Sequence, residues 1–561
     1  MQFIKKNSIV IILVGILLIA SFLRLYTLSE IPNGLYVDEA EIGYNAYSIL
    51  QTGKDEFGKS FPLFIRSFNV YAPPLYMYLT TIPIYLFGLS IFSARFVSAI
   101  SGVITTFLIY FIFKKISPKK YFPLLGAFLF AISPWSIFFS RGAFEANFAL
   151  CILSFAIYFL VYAKERPRYF LYSFLFLSLS TYCYHAERLL AYLIIALTLF
   201  VFFILNRNEK KPDKKDIITS LVLFGITQLP LLFLANTYAF KSRAFGIFYF
   251  DAINSQASKI IFFPESITKV LAFGREFLAN YSSYYSPKNL FLLGDADLQR
   301  SIPGLSVFYP WMVIPYFVGA FMFIKEWKKN KGWWVMLLLF IIAPIPAALA
   351  KDPFSSLRAL PLIIPMIFII TLGIEKIATI LHVKLFIIIS IVALGFSALS
   401  LWRSYFVLFP QERAVNWDYG FIELSKIIDA HPNQQYLIDQ SRINPAYILL
   451  SFHMQIPPTK IQAASDQTIK GDYYNRSDVN FDYSIKNFTT RSINWEEDIY
   501  KDQILVGDRY AISDGQIKEH YLEKVFEIDN PLHEPLFIGY HTSPQAKCKS
   551  IANSNSHCTI E

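Results

Sequence analysis

Residues 34–44 read Gly-Leu-Tyr-Val-Asp-Glu-Ala-Glu-Ile-Gly-Tyr and place three carboxylates, Asp38, Glu39 and Glu41, within four positions. Such a cluster can act as a base, hold a cation, or complement the dipole of a helix start. The run follows directly on an apolar stretch and is flanked by aromatic and aliphatic residues. A carboxylate desolvated near a bilayer becomes more basic, which favours the base. A second acid, Glu145, follows Arg141 in Ser-Arg-Gly-Ala-Phe-Glu (140–145). At i, i+4 the two can equally form a structural pair.

Arg358 lies in Asp-Pro-Phe-Ser-Ser-Leu-Arg-Ala-Leu-Pro (352–361), where serines can cap a helix start and a guanidinium can complete a phosphate site. Its bland alternative is snorkelling to lipid headgroups. Arg188, Arg66 and Arg141 are weaker candidates for the same anion. Tyr281, Tyr284 and Tyr285 can stack on a sugar ring or anchor at the membrane interface, and Tyr44, which closes the acidic run, and Asp295 are further sugar- or acceptor-binding candidates. Asp295 and Asp297 form an Asp-x-Asp that reads more simply as a polar turn. His185 stands alone, and no His/Cys/Asp spacing makes a zinc site. Asp38 and Glu39 can act with or without a divalent metal, so metal dependence stays open.

These residues must be held by a membrane scaffold. The 561 residues are 55% hydrophobic and 16% charged, with 55 Phe and 35 Tyr, and the mean hydropathy is +0.42. That excludes a disordered chain and an ordinary soluble enzyme. Eleven apolar stretches recur, at approximately 8–28, 91–113, 121–138, 142–163, 169–187, 188–206, 217–238, 306–324, 332–350, 358–377 and 384–402, each near the length that crosses a bilayer. With Lys5 and Lys6 inside, later basic clusters fall on one side: Lys114–Lys120, Lys164–Arg168, Arg207–Lys215, Lys325–Lys331, then Lys376 and Lys384. The positive-inside rule predicts a cytoplasmic N-terminus and an outer C-terminus. The net charge of +10 therefore reports topology, and no nucleic-acid partner is needed.

Pro73–Leu89 is apolar enough to resemble a span, yet counting it would invert every later loop. It is predicted to lie in the outer interface or to re-enter the membrane. The first apolar stretch lacks a small-residue cleavage site and is predicted to be a retained helix. Three outer regions remain: 29–90, 239–305, and a tail from about 403 to 561. The tail carries short strand-like pieces at Gln435–Asp439 and Gln503–Val506 and an amphipathic segment at Tyr419–Ala430, predicting a small extracytoplasmic α/β domain after a membrane domain of residues 1–402. Cys548 and Cys558 can pair there or remain free thiols, whereas Cys151 and Cys183 read as packing residues.

Taken together, Asp38-Glu39 after the first span, Pro73-Pro74-Leu75-Tyr76 with Phe87-Gly88 and Ala94-Arg95-Phe96, Ser133-Pro134-Trp135 with Arg141 and Glu145, Asn280–Pro287 with Gly294-Asp295, and Leu357-Arg358-Ala-Leu-Pro361 form a pattern. It resembles the GT-C membrane glycosyltransferases that use polyprenyl-phosphate sugars, especially bacterial protein O-mannosyltransferases and aminoarabinose transferases. The resemblance covers about residues 8–402. It implies an α-helical polytopic protein in a prokaryotic plasma membrane. It also implies inverting transfer of a sugar from a lipid-phosphate donor to a protein, lipid or cell-wall acceptor at the outer face. Asp38 would be the base, Glu39 and Glu145 supporting acids, and Arg358 the donor-phosphate ligand. Where members often carry Lys or His before Pro-Pro, this chain has Tyr71-Ala72, so that Arg66, Arg95 or Arg188 can replace the cation or the donor is held differently.

Two other classes compete. A transporter or flippase for a lipid-linked sugar would place broken helices and polar groups near the midplane, but here the ionisable residues gather at one face. A non-catalytic glycan-binding protein would not need Asp38.

Overall fold

A computed structural model describes residues 2–163, 165–201, 214–260, 262–328, 331–443, 445–465, 467–477, 481–550 and 558. Lys164, Arg207, Lys210, Lys211 and Lys329, used above for topology, lie outside the described residues.

Helix α1 (Gln2–Leu25) leads through an extended turn to α2 (Val37–Thr52), the hairpin β1 (Ile65–Ser67) and β2 (Val70–Ala72), and α3 (Leu75–Phe87). Then come α4 (Ile91–Ile116), α5 (Phe122–Ile132), α6 (Pro134–Arg141), α7 (Glu145–Tyr162), α8 (Tyr169–Ser180), α9 (His185–Phe200) and α10 (Lys214–Phe233). The segment 239–305 holds most of α11 (Tyr238–Ile247), α12 (Phe250–Ala257) and α13 (Glu265–Ser283), and the membrane part ends with α14 (Val313–Glu326), α15 (Trp334–Ile342), α16 (Ile345–Ala348), α17 (Ile363–Ile380) and α18 (Val383–Leu401).

Each of the eleven apolar stretches carries helix, but they are not equally long. Among the described residues six helices are long and apolar enough to cross a membrane, or seven when α5 and α6, bent by 53° at Ser133-Pro134, count as one. Helix α8 has 12 residues and α14 has 14, rises of roughly 18–21 Å at 1.5 Å per residue against a hydrocarbon core of about 30 Å. Hydropathy sums over a window cannot see the turn at Thr181–Tyr184 or the break at Pro344 that shortens such pieces. Helix α3, at 13 residues, is likewise too short to cross, as its interfacial reading requires.

Close backbone contact holds the bundle where side chains are smallest. A Cβ on Gly319 of α14 would stand 1.8 Å from the Ile369 carbonyl oxygen, and one on Gly373 of α17 would stand 1.8 Å from that of Pro315. Glycines at both positions let the two helices touch, the packing that membranes favour when apolar burial gives no drive.

The chain then passes through a π-helical turn (Trp402–Leu408) and α19 (Phe409–Glu412) into an α/β unit. Its elements are α20 (Phe421–Ala430), β3 (Tyr436–Ile438), α21 (Ala446–His453), α22 (Pro458–Ala464), β4 (Tyr483–Ile485), β5 (Phe488–Thr490), β6 (Ile504–Gly507), α23 (Asp514–Glu519), β7 (Glu523–Asp529), β8 (Pro535–His541) and α24 (Pro544–Ser550). The six strands run in the order β4-β5-β3-β6-β8-β7. β3 pairs parallel with both β5 and β6, and the outer strands are antiparallel. β3 is buried along its length, as an apolar central strand of a covered sheet should be. Cys548 and Cys558 form a disulfide, while Cys151 and Cys183 are free and buried.

The tail is less independent than an appended domain would be. Leu35, Val37, Ala40 and Tyr44 of the first outer region share one core with Ile448, Leu449 and Phe452 of the tail. The tail therefore forms part of the support under α2.

Candidate active site

Asp38 stands in the first turn of α2, and several contacts fix where that turn begins. Gly34 has φ +140°, and a Cβ there would lie 2.1 Å from the Trp417 carbonyl oxygen, so the strand before α2 passes against the linker that enters the tail. Asp418 in that linker accepts the Val37 N–H at 3.0 Å, satisfying one of the donors that every helix start leaves free.

Asp38 opens into a cavity of about 470 Å³. Asp38 and Glu41 on α2 and Glu145 at the start of α7 line it, together with Tyr71, Tyr184 and His185. Three guanidiniums, Arg243, Arg300 and Arg358, also line it. Burial pushes the Asp38 carboxyl above its ordinary range, opposed by a hydrogen bond with Tyr36 and by the charge of Arg243. Burial pushes Glu41 well up, and Glu56, Asp38 and Glu145 push the same way.

Glu39 also lines the cavity, but its carboxylate oxygens are taken up by protein donors. Its Oε1 accepts from Arg95 Nε at 2.9 Å and from the Ala143 N–H at 2.7 Å, and its Oε2 accepts from Arg95 Nη2 at 2.7 Å. Both side chains are buried, and Arg95 spends its remaining donors on the carbonyls of Leu28, Pro32 and Gly34. This forked pair ties α4 to α2 and to the turn before α7, so Glu39 and Arg95 set where Asp38 and Glu145 stand.

The cationic side differs from expectation. Arg358 does line the cavity, braced by an ion pair with Asp352. The loop carrying it is held from behind: Asp295 accepts from the Ser356 N–H at 2.8 Å and from its Oγ at 2.7 Å, and the Tyr284 hydroxyl accepts the Ser355 N–H at 3.1 Å. Asp295 and Tyr284 are thus supports of Arg358 and do not line the cavity. Tyr281 donates to the Ile341 carbonyl at 2.7 Å and Tyr285 to that of Phe340, which turns both toward α15.

Arg141 is buried with its guanidinium on the carbonyls of Leu23 at 3.0 Å and Ile31 at 2.9 Å. It satisfies the C-terminal end of α1 and makes no ion pair with Glu145. Arg66 donates to the Tyr71 hydroxyl at 2.9 Å and the Arg476 carbonyl at 2.8 Å, binding β1 to the tail. Tyr44 donates to the Ile456 carbonyl at 2.8 Å, again a contact to the tail.

Arg188 lies in a second, mainly apolar groove of about 320 Å³, with its guanidinium 4.5 Å from the Phe64 ring centroid and 5.2 Å from that of Phe240. Its Nη2 is buried without a partner. The groove shares Tyr184, His185, Arg243 and Arg358 with the acidic cavity, and Leu189, Phe248 and Leu349 carry it away as an apolar wall. The two spaces meet at the arginines.

Arg243 and Arg300 escaped the sequence reading, although the signal was present. Both lie in the 239–305 region that the sequence reads as outer, where any arginine would run against the inside bias of basic residues. Arg300 pairs with Asp297, while Arg243 has no ion pair or side-chain hydrogen bond among the described residues. His185 Nε2 meets the Tyr71 carbonyl at 2.9 Å, close to the position before Pro73-Pro74 where a cation was expected. Among the described residues no three His, Cys, Asp or Glu side chains converge to hold a metal ion.

The apolar helix bundle followed by an α/β unit has the GT-C fold. Residues 71–233 match the family model described as dolichyl-phosphate-mannose-protein mannosyltransferase. No curated protein matches the sequence significantly. Among solved structures, ArnT from Cupriavidus metallidurans bound to undecaprenyl phosphate aligns with a TM-score of 0.52 at 11% identity, over 95% of this chain and 98% of that one. The oligosaccharyltransferase AglB from Archaeoglobus fulgidus, in complex with an inhibitory peptide and a dolichol-phosphate, aligns with a TM-score of 0.48 at 14% identity, over 97% of this chain and 75% of that one.

Proposed function

We propose that the protein transfers a sugar from a polyprenyl-phosphate donor to an acceptor hydroxyl at the outer face of a prokaryotic plasma membrane, with inversion at the anomeric carbon. The observation that carries this is the junction of the acidic cavity with the apolar groove at Arg243 and Arg358. A donor with a charged phosphate between a sugar and an isoprenoid chain requires those three environments in that order. The mannosyltransferase family match and the fold shared with ArnT, seen with undecaprenyl phosphate, support the same donor class.

In this mechanism the phosphate sits against Arg243 and Arg358, with the unpartnered Nη2 of Arg188 available from the groove. The sugar projects into the cavity toward Asp38. The acceptor oxygen attacks the anomeric carbon as the bond from that carbon to the phosphate oxygen breaks. Asp38 takes the hydroxyl proton, and the electron pair leaves with the polyprenyl phosphate, whose growing charge the guanidiniums stabilise. Glu145 faces the same space and orients hydroxyls, and Glu39 acts at one remove by holding the start of α2. The N-terminus is cytoplasmic, and residues beyond about 402 form the outer domain.

Purified protein supplied with radiolabelled polyprenyl-phosphate sugars and a membrane extract tests the proposal. Consumption of one donor is expected, falling at least about 100-fold in Asp38→Asn, the scale of a lost general base. No consumption of any donor by folded protein, or full activity in Asp38→Asn, would refute it.

A further inference from the structure

The tail contains a second cavity, of about 430 Å³, that plays no part in the mechanism above. It lies at the carboxyl ends of the parallel strands β3 and β6. The chain leaves β3 toward β5 on one side and leaves β6 toward β7 and β8 on the other. Adjacent parallel strands whose connections diverge open a crevice at that edge, and such crevices are where open α/β sheets bind ligands. The residues just after the two strands, Arg442 after β3 and Asp508, Arg509 and Tyr510 after β6, line it, and Asn530 and His533 from the β7–β8 turn close it.

The lining specifies the ligand. Arg442 and Arg509 are offset by Asp418, Asp508 and Glu534, so the cavity has no strong sign of charge and does not select an ion. It offers fixed donors and acceptors side by side, such as the Arg442 Nε to Asp508 Oδ2 contact at 3.1 Å. Vicinal hydroxyls, each both donor and acceptor, complement such a pair. Tyr510 stands at the rim, 62% exposed, with Arg442 and Arg509 at 4.9 and 4.8 Å from its ring centroid. Tyr419, Phe421 and Phe537 add apolar surface for ring C–H groups.

The wall of this cavity is also tied to the active site. Asp418 lines it and accepts the N–H of Val37, the residue before Asp38. Asn416 in the same segment accepts from Gln299, which lines the acidic cavity, at 3.2 Å.

We propose that the tail cavity binds an uncharged oligosaccharide, the non-reacting part of the acceptor. Its role as acceptor site rests on the transferase function proposed above, whereas saccharide binding itself does not. The test uses the full chain in detergent, fluorescently labelled, on arrays of neutral, acidic and amino oligosaccharides and on a peptide array. Binding to neutral oligosaccharides is expected, weakened at least tenfold in Arg442→Ala and in Tyr510→Ala at unchanged melting temperature, and unchanged in Asp38→Asn. Absence of saccharide binding, binding to peptides alone, indifference to both tail substitutions, or loss in Asp38→Asn would each overturn the site. For the acceptor role, Arg442→Ala should raise KM for the extract acceptor severalfold with kcat and donor KM unchanged. Array binding together with an unchanged acceptor KM would remove that role while leaving transfer itself intact.

Discussion

Asp38 and Glu39 are neighbours in sequence, and the structure separates them by consequence. Replacing Glu39 with Gln removes the charge that Arg95 faces while keeping its shape. Arg95 is fully buried and Glu39 is 2% exposed, so the uncompensated guanidinium stays out of water. Breaking such a pair costs about 3–5 kcal/mol. Arg95 keeps the three carbonyls of Leu28, Pro32 and Gly34, which points to the lower end, about 3 kcal/mol. At roughly 2–4 °C per kcal/mol for a domain of a few hundred residues, the melting midpoint in detergent should fall on the order of 10 °C. Asp38→Asn, which removes a partly exposed charge facing a cavity, should leave that midpoint nearly in place and abolish transfer. Paired scans of wild type and both variants by intrinsic tryptophan fluorescence, with transfer measured on the same samples below the lower midpoint, decide the matter. A Glu39→Gln protein that melts with the wild type but is inactive would refute the structural role of the pair and make Glu39 part of the chemistry.

Other consequences follow from the same geometry. A base must be ionised to act, so transfer is lost as pH falls through the raised pKa of Asp38, and the acid limb of kcat/KM should lie above the ordinary aspartate value of about 4. Arg243 lowers that pKa, so Arg243→Ala should move the limb to higher pH, and a limb that moves down or stays would contradict the contact. Alkylation of native protein should label no cysteine, denaturation without reductant should expose two thiols, and reduction should expose four, because one disulfide and two buried thiols are present. Ser484 is exposed on the tail, and Ser484→Cys should react with an impermeant maleimide on intact cells; protection there until lysis would place the tail inside.

What the sequence could and could not disclose follows from what each signal measures. Periodicity and hydropathy report the burial that each segment needs, so the apolar bundle and the strands β3 and β6 were all legible. Length was not: a window average passes over the turn at Thr181–Tyr184, and α8 emerges as a short helix of 12 residues. Asp38 was legible because three acids beside an apolar stretch are costly and so call for a reason. The arginines were harder, because a guanidinium at the edge of an apolar bundle has two ways to meet its need. Arg141 and Arg66 meet it inward, on main-chain carbonyls left free by a helix end and a tail loop. Arg243 has no ion pair or side-chain hydrogen bond among the described residues and lines the cavity, where its charge acts on Asp38. Charge and position along the chain are the same in both cases, and only the count of carbonyls within reach separates a brace from a ligand site. Such a count needs the fold. Which arginines face the cavity therefore depends on long-range packing, whereas the acidic cluster that holds Asp38 stands out within the eleven residues around it, even though its position is set by contacts with Asp418 and Arg95.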